Sequence, residues 1–219
     1  MGRGDFQAGE DHGITCGFVS NGNGTPEVLK FLRPHVDLYK VDLKSFDDRH
    51  YRELGGVLSN VLATIEQLVS MGFWVEIVTL VIPGFNDSDG ELQSIAKFIA
   101  GVSRDIPWPA TAFHPEYKMM EPGRTPAETL LRAHEFGRAA GLHYVYPGNI
   151  PGAFGDLEHT FCRNCKAMVI DRYGFYVREN RMTRPGHCPE CDENIPGVFE
   201  ADAPRRSEGT GIPMPVLFS

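Results

Sequence analysis

Along most of this chain, short and almost unbroken apolar runs alternate with segments whose apolar residues recur every three or four positions. The runs predict β-strands, and the recurring pattern predicts amphipathic helices. Ile14-Thr15-Cys16-Gly17-Phe18-Val19-Ser20 reads as a buried strand, and Val36 to Leu43 as a second. Phe73 to Ile82, rich in β-branched and aromatic residues, is the clearest strand, and Pro83-Gly84 stops it. Ala110 to Phe113 and Leu142 to Tyr146 complete five strands.

Between them lie the helices. Thr25 is placed as an N-cap with Pro26 in the first helical position, and Asp47 or Asp48 caps a short helix. From Val57 to Met71, the residues Val57, Val61, Leu62, Ile65, Leu68 and Val69 share one face, and Gly72 ends the helix. Ser88 to Ile99 turns Leu92, Ile95, Ala96 and Ile99 inward. Thr125-Pro126-Ala127-Glu128 has the form of a capping box, and its helix runs to Ala140 before Gly141.

Repeated βα order implies a parallel sheet, because each helix returns the chain to the start of the next strand. Strands this continuously apolar suit a sheet covered on both faces or closed into a barrel, so an open doubly wound sheet and a (β/α) barrel both fit. No strand is followed by a phosphate-binding glycine loop, and Asn21-Gly22-Asn23-Gly24 reads as a turn. A length of 219 residues allows one medium domain and a small one. The net charge of −8 argues against a general nucleic-acid binder. No run reaches the roughly 18 apolar residues of a membrane span, and Met1-Gly2-Arg3-Gly4-Asp5 has no leader character. Reducing cytoplasm is the expected location.

Four of the five cysteines form one pattern: Cys162-x2-Cys165, 22 residues, Cys188-x2-Cys191. Each Cys-x2-Cys turn aims two thiolates at one point, and two facing turns make a tetrahedral four-sulfur site suited to structural Zn²⁺. Ala167 to Ile170 and Arg172 to Val177 fit the strands of a small ribbon, whose core is too slight to fold without metal. A rubredoxin-type iron site and a pair of disulfides are the alternatives.

Polar residues gather at the strand ends, where parallel α/β folds bind ligands. They are Ser20-Asn21, Asp42 with Lys44, Glu76 with Thr79, His114, and Tyr146 to Asn149. Asp42 and Lys44, two positions apart, face the same way.

Val41-Asp42-Leu43-Lys44, Thr79 to Asp87 with its Ile82-Pro83-Gly84, Pro109 to Pro115, Tyr144 to Asn149 and the four-cysteine ribbon occur in this order. Together they resemble radical SAM enzymes of the pyruvate formate-lyase activating type, and within them the AmmeMemoRadiSam group. The resemblance implies the C-terminal portion of a partial (β/α)6 TIM-type barrel over residues 1–157. It further implies a zinc ribbon, rubredoxin-like, over 158–200, and the tail over 201–219, with its Pro, Gly and Arg205-Arg206, reads by composition as disordered. It implies reductive cleavage of S-adenosylmethionine (SAM) on a [4Fe–4S] cluster to a 5′-deoxyadenosyl radical. Ser20, Asn21, Asp42, Lys44 and His114 then line the SAM cleft, and Cys162, Cys165, Cys188 and Cys191 hold metal. Memo-like and AMMECR-like proteins, a protein substrate, or the missing N-terminal half as a separate chain are the implied partners.

One departure matters. The family holds its cluster with Cys-x3-Cys-x2-Cys, and no such motif is present; outside the ribbon there is only Cys16. The expectation is an N-terminally truncated enzyme that is inactive alone. The alternative is a non-catalytic zinc-ribbon protein with a binding or scaffolding role.

Overall fold

The computed structural model describes residues 15–199. They fall into two compact units divided between Asn149 and Ile150.

The first unit is a parallel five-stranded sheet in the order β1-β2-β3-β4-β5, with β1 Gly17–Ser20, β2 Leu38–Asp42, β3 Trp74–Val81, β4 Trp108–Ala112 and β5 Val145–Gly148. The helices are α1 Pro26–Leu32, α2 Asp48–Glu53, α3 Leu58–Ser70, α4 Asp89–Val102 and α5 Ala127–Ala140. The βα reading holds, with strand ends displaced by up to three residues. Trp108 and Pro109 belong to β4, although a proline inside a run argues against a strand. Pro109 is tolerated opposite Tyr146, on the less buried side of the sheet.

Thr25 and Asp47 cap α1 and α2 as expected, and Ser88 caps α4, each accepting a backbone N–H. Thr125 does not cap α5. Its hydroxyl donates to Val81 O at 2.6 Å and accepts from Phe113 N at 2.8 Å, so it ties the ends of β3 and β4 instead. Sequence spacing cannot distinguish these two uses of one hydroxyl.

Residues of one parity on each strand are buried: Tyr39 and Val41, Val75, Ile77, Thr79 and Val81, Trp108, Ala110 and Ala112. Helices cover this face. The side chain of Val61 on α3 and that of Val41 leave room only for Gly22 between them, at φ 82, since a Cβ there would lie 2.7 Å and 3.0 Å from them. Gly137 of α5 likewise lets the helix approach Val145 and Trp108. The opposite face is not matched by an equal apolar cover among the described residues. Lys40, Asp42, Glu76, Val78, Thr111 and Tyr146 are half-buried there, and Val19 is 66% exposed. Of the two arrangements expected, cover on both faces or closure into a barrel, the described residues show such apolar cover on one face alone and leave closure open. Val78 and Leu80 are apolar by sequence but sit on the more open side.

The second unit holds a short 3-10 turn, Gly155–Glu158, and an antiparallel sheet β6-β7-β8: Thr160–Phe161, Met168–Tyr173 and Tyr176–Asn180. The hairpin turns at Gly174-Phe175 rather than at Asp171, because Gly174 at φ 56 supplies the left-handed backbone of a two-residue turn. Position 171 is only a bulge in β7. The small core is Cys162, Val169, Ile170, Met182, Cys188 and Ile195.

Candidate functional sites

In the ribbon, the sulfurs of Cys162, Cys165, Cys188 and Cys191 all lie within 4.8 Å of one another. The closest pairs cross between the two Cys-x2-Cys turns: Cys165 to Cys188 at 3.5 Å and Cys162 to Cys191 at 3.7 Å. A tetrahedral ion with sulfurs at about 2.3 Å has sulfur–sulfur edges of about 3.8 Å, so the four residues fit a metal of zinc type. The geometry is that of a four-thiolate cage, with Cys162 and Cys188 buried and Cys165 and Cys191 at the surface.

Electrostatics favour thiolate at one corner. The Glu193 N–H beside Cys191, helped by Cys165 and the Asn164 amide at 3.6 Å, draws that thiol down to about 7. The Ala167 N–H works the same way on Cys165, but the neighbouring sulfurs and burial outweigh it and push that thiol up to about 12. Thiols this close titrate as a group, each shifting the others.

In the first unit, Asp42 ends β2 and Lys44 follows it. Their side chains meet on the more open face, Lys44 Nζ to Asp42 Oδ2 at 3.3 Å, both half-exposed. The backbone around them is unusually tied. Leu43 N donates to Val78 O, and Thr79 Oγ1 donates to Leu43 O at 3.0 Å. Lys44 N donates to the Tyr51 hydroxyl at 3.0 Å, and Lys44 O accepts from Asn86 Nδ2 at 2.6 Å. Asn86 is 0% exposed and also bridges Leu80 O and Ile82 N, so all its polar atoms are used. Burial pushes the Tyr51 hydroxyl up to about 12, against the Lys44 N–H that lowers it and with the charge of Asp42 that raises it.

The next residues continue the lock. Glu91, in the first turn of α4, accepts from Ser45 Oγ and from Phe46 N at 2.7 Å. Since the Ser45 proton goes to Glu91, the Ser45 oxygen accepts from Asp47 N and from His50 Nδ1 at 3.1 Å. The His50 ring stacks on Phe85 at 4.2 Å.

The other polar residues read from sequence divide. Ser20 pairs in register with Val41, so it shares the helix-covered face and not the face of Asp42; its Oγ accepts from Gly22 N at 3.1 Å. Asn21 is exposed, and its Oδ1 accepts from Asn23 N. Glu76 lies mid-strand opposite Lys40, and Thr79 is buried, accepting the Trp108 indole N–H at 3.0 Å. His114 follows β4, two strands from Asp42, hence on the order of 10 Å across the sheet. Its Nε2 donates to Asn149 O at 2.9 Å, which places the proton on Nε2. Asn149 in turn donates to Ala112 O at 2.7 Å. Thus Asp42 and Lys44 are brought together, while Ser20 points elsewhere. Tyr51 and Asn86 escaped sequence reasoning, although the run Ile82 to Asp87 had drawn notice as a string.

Comparison with known proteins bears on this site. The Radical SAM superfamily pattern matches residues 5–99. An uncharacterised protein of Methanocaldococcus jannaschii is 35% identical over 187 residues, which is 84% of this chain and 55% of that protein. The benzylsuccinate synthase activating enzyme of Thauera aromatica is 42% identical over 149 residues, covering 61% of this chain and 45% of the enzyme. This chain therefore spans about half the length of these curated relatives. A domain of pyruvate-formate lyase-activating enzyme from Bacteroides vulgatus shares the fold, with a TM-score of 0.57 at 18% identity over 66% of this chain and 88% of that one. The chain thus carries a radical SAM superfamily match and has activating enzymes among its homologues. No helix of the described residues is long and apolar enough to cross a membrane.

Proposed function

We propose that this chain forms the SAM-binding part of a radical SAM enzyme of activating type, of the AmmeMemoRadiSam kind, acting in the cytoplasm with a zinc ribbon as a structural appendage. The observation that carries the reading is the Asp42–Lys44 pair, held on the more open face of the sheet at a strand end within the matched superfamily region. SAM presents a carboxylate and a sulfonium. The Lys44 ammonium suits the first, and the Asp42 carboxylate suits the second. His114 would present an N–H, already given to Asn149 O in this structure, towards the adenosyl side. Memo-like and AMMECR-like proteins, or a protein substrate, are the partners this reading suggests.

The cluster is a different matter. Bound to three thiolates, a [4Fe–4S] cluster supplies the electron that cleaves SAM; outside the ribbon this sequence offers one cysteine, Cys16. The chain's own residues do not fit that group.

The test is binding followed by turnover. Isothermal titration with SAM should give measurable affinity that Lys44→Gln weakens about tenfold, the scale of one charge-assisted hydrogen bond. After anaerobic reconstitution with iron and sulfide, dithionite and SAM should yield no 5′-deoxyadenosine from this chain alone. SAM binding indifferent to Lys44 and Asp42 would overturn the assignment and leave the binding or scaffold reading.

A further inference from the structure

We infer that Tyr51 and Asn86 are positioning residues for Lys44, fixing its backbone from both sides so that its ammonium stands at Asp42 before any ligand arrives. The inference rests on the SAM-binding reading for its ligand, but not for its geometry.

Lys44 lies beyond the end of β2, where sheet pairing no longer holds the chain. Two side chains take over. Its N–H goes to the Tyr51 hydroxyl from α2, and its carbonyl takes an N–H of Asn86 from the loop after β3. Both side chains are deeply buried, Tyr51 at 3% exposure and Asn86 at 0%. With the peptide units on either side of its Cα both anchored, the two backbone dihedrals of Lys44 have little freedom, so its Cα–Cβ direction is set. That matters because the ion pair itself is half-exposed and cannot order a long side chain alone. Preorganisation lowers the entropy lost on binding.

The surroundings are built for the same end. Glu91 holds the two residues after Lys44, and His50 on α2 stacks on Phe85, the neighbour of Asn86. The stretch from β2 into α2 and the stretch from β3 into α4 are therefore latched at three places. Asn86 suits its place by chemistry as well. It must donate twice, to Lys44 O and Leu80 O, and accept once, from Ile82 N. An aspartate could not donate to either carbonyl.

Tyr51→Phe removes one oxygen and keeps the ring in its buried site. Two readouts apply, both taken at a temperature where every variant is folded. The first is SAM affinity by titration. The second is the ¹³C resonance of reductively dimethylated Lys44, identified among the six lysines by its loss in Lys44→Arg. The expected result is affinity weakened about fivefold, one neutral hydrogen bond, with a Lys44 resonance shifted towards that of a free lysine. Asn86→Ser, the second variant, should move both readouts the same way. Affinity within a factor of about two together with an unmoved resonance in both variants would overturn the inference. If the unmodified chain binds no SAM, the functional reading fails. The resonance then decides the positioning claim by itself: movement supports it, constancy sinks it.

Discussion

Gly137 shows how one residue's effect depends on its neighbours. It sits inside α5, where glycine costs about 1 kcal/mol relative to alanine. On propensity alone, Gly137→Ala should stabilise. But a Cβ there would lie 2.7 Å from Val145 Cγ2 and 3.0 Å from Trp108 Cε3, and both neighbours are buried in the sheet. Overpacking of this kind costs about 1–3 kcal/mol, which exceeds the propensity gain. The variant should unfold at lower urea than the parent, and a higher midpoint would show that the helix can slide. The same contrast governs what the sequence made legible at this scale. The four ribbon cysteines and the Asp42–Lys44 pair could be read because each rests on a recognisable short spacing, Cys-x2-Cys twice over and Asp-x-Lys once. Tyr51, Asn86 and the second use of Thr125 could not. Their partners are 7, 42 and 44 positions away, and only the folded sheet brings them together.

Elements were legible wherever a period was clean. The amphipathic α3 and α4 and the long β3 were found nearly in full. What the period could not say is which face of an apolar strand a neighbour covers, since β3 is apolar on both. β1 carries the consequence. Among the described residues it pairs only with β2, through Gly17 to Ser20, so its other edge is unpaired by any described strand. It bears no charge and no proline to discourage a further strand. Val19, on the more open face, is 66% exposed. Val19→Lys should therefore leave the melting temperature within a few degrees and reduce self-association at micromolar concentration, read by size-exclusion chromatography. A mutant that unfolds instead would mean that a segment outside residues 15–199 or a second chain covers this strand.

At the scale of the whole molecule, the chain divides into two units with separate cores, and they rest on different physics. The first buries five strands against amphipathic helices and can be stable by apolar burial alone. The core of the second is a cluster of six residues, two of them Cys162 and Cys188 of the four-sulfur group. A core that small gains too little from burial to offset the entropy of ordering about fifty residues, so a metal held by the four cysteines would have to supply the difference. Removing metal should then affect the units unequally. The molecule carries its own reporters. Both tryptophans, Trp74 and Trp108, lie in β3 and β4 of the first unit, while Tyr173 and Tyr176 flank the ribbon hairpin. A strong chelator should release about one zinc per chain and abolish the near-ultraviolet tyrosine dichroism of the ribbon. Tryptophan emission excited at its red edge should stay at its native maximum. Cys188→Ser should reproduce the chelated state without chelator, because the buried thiolate it removes belongs to both the cage and the core. If the ribbon signal survives chelation and Cys188→Ser retains its metal, the four sulfurs are not the structural centre that their spacing and geometry describe.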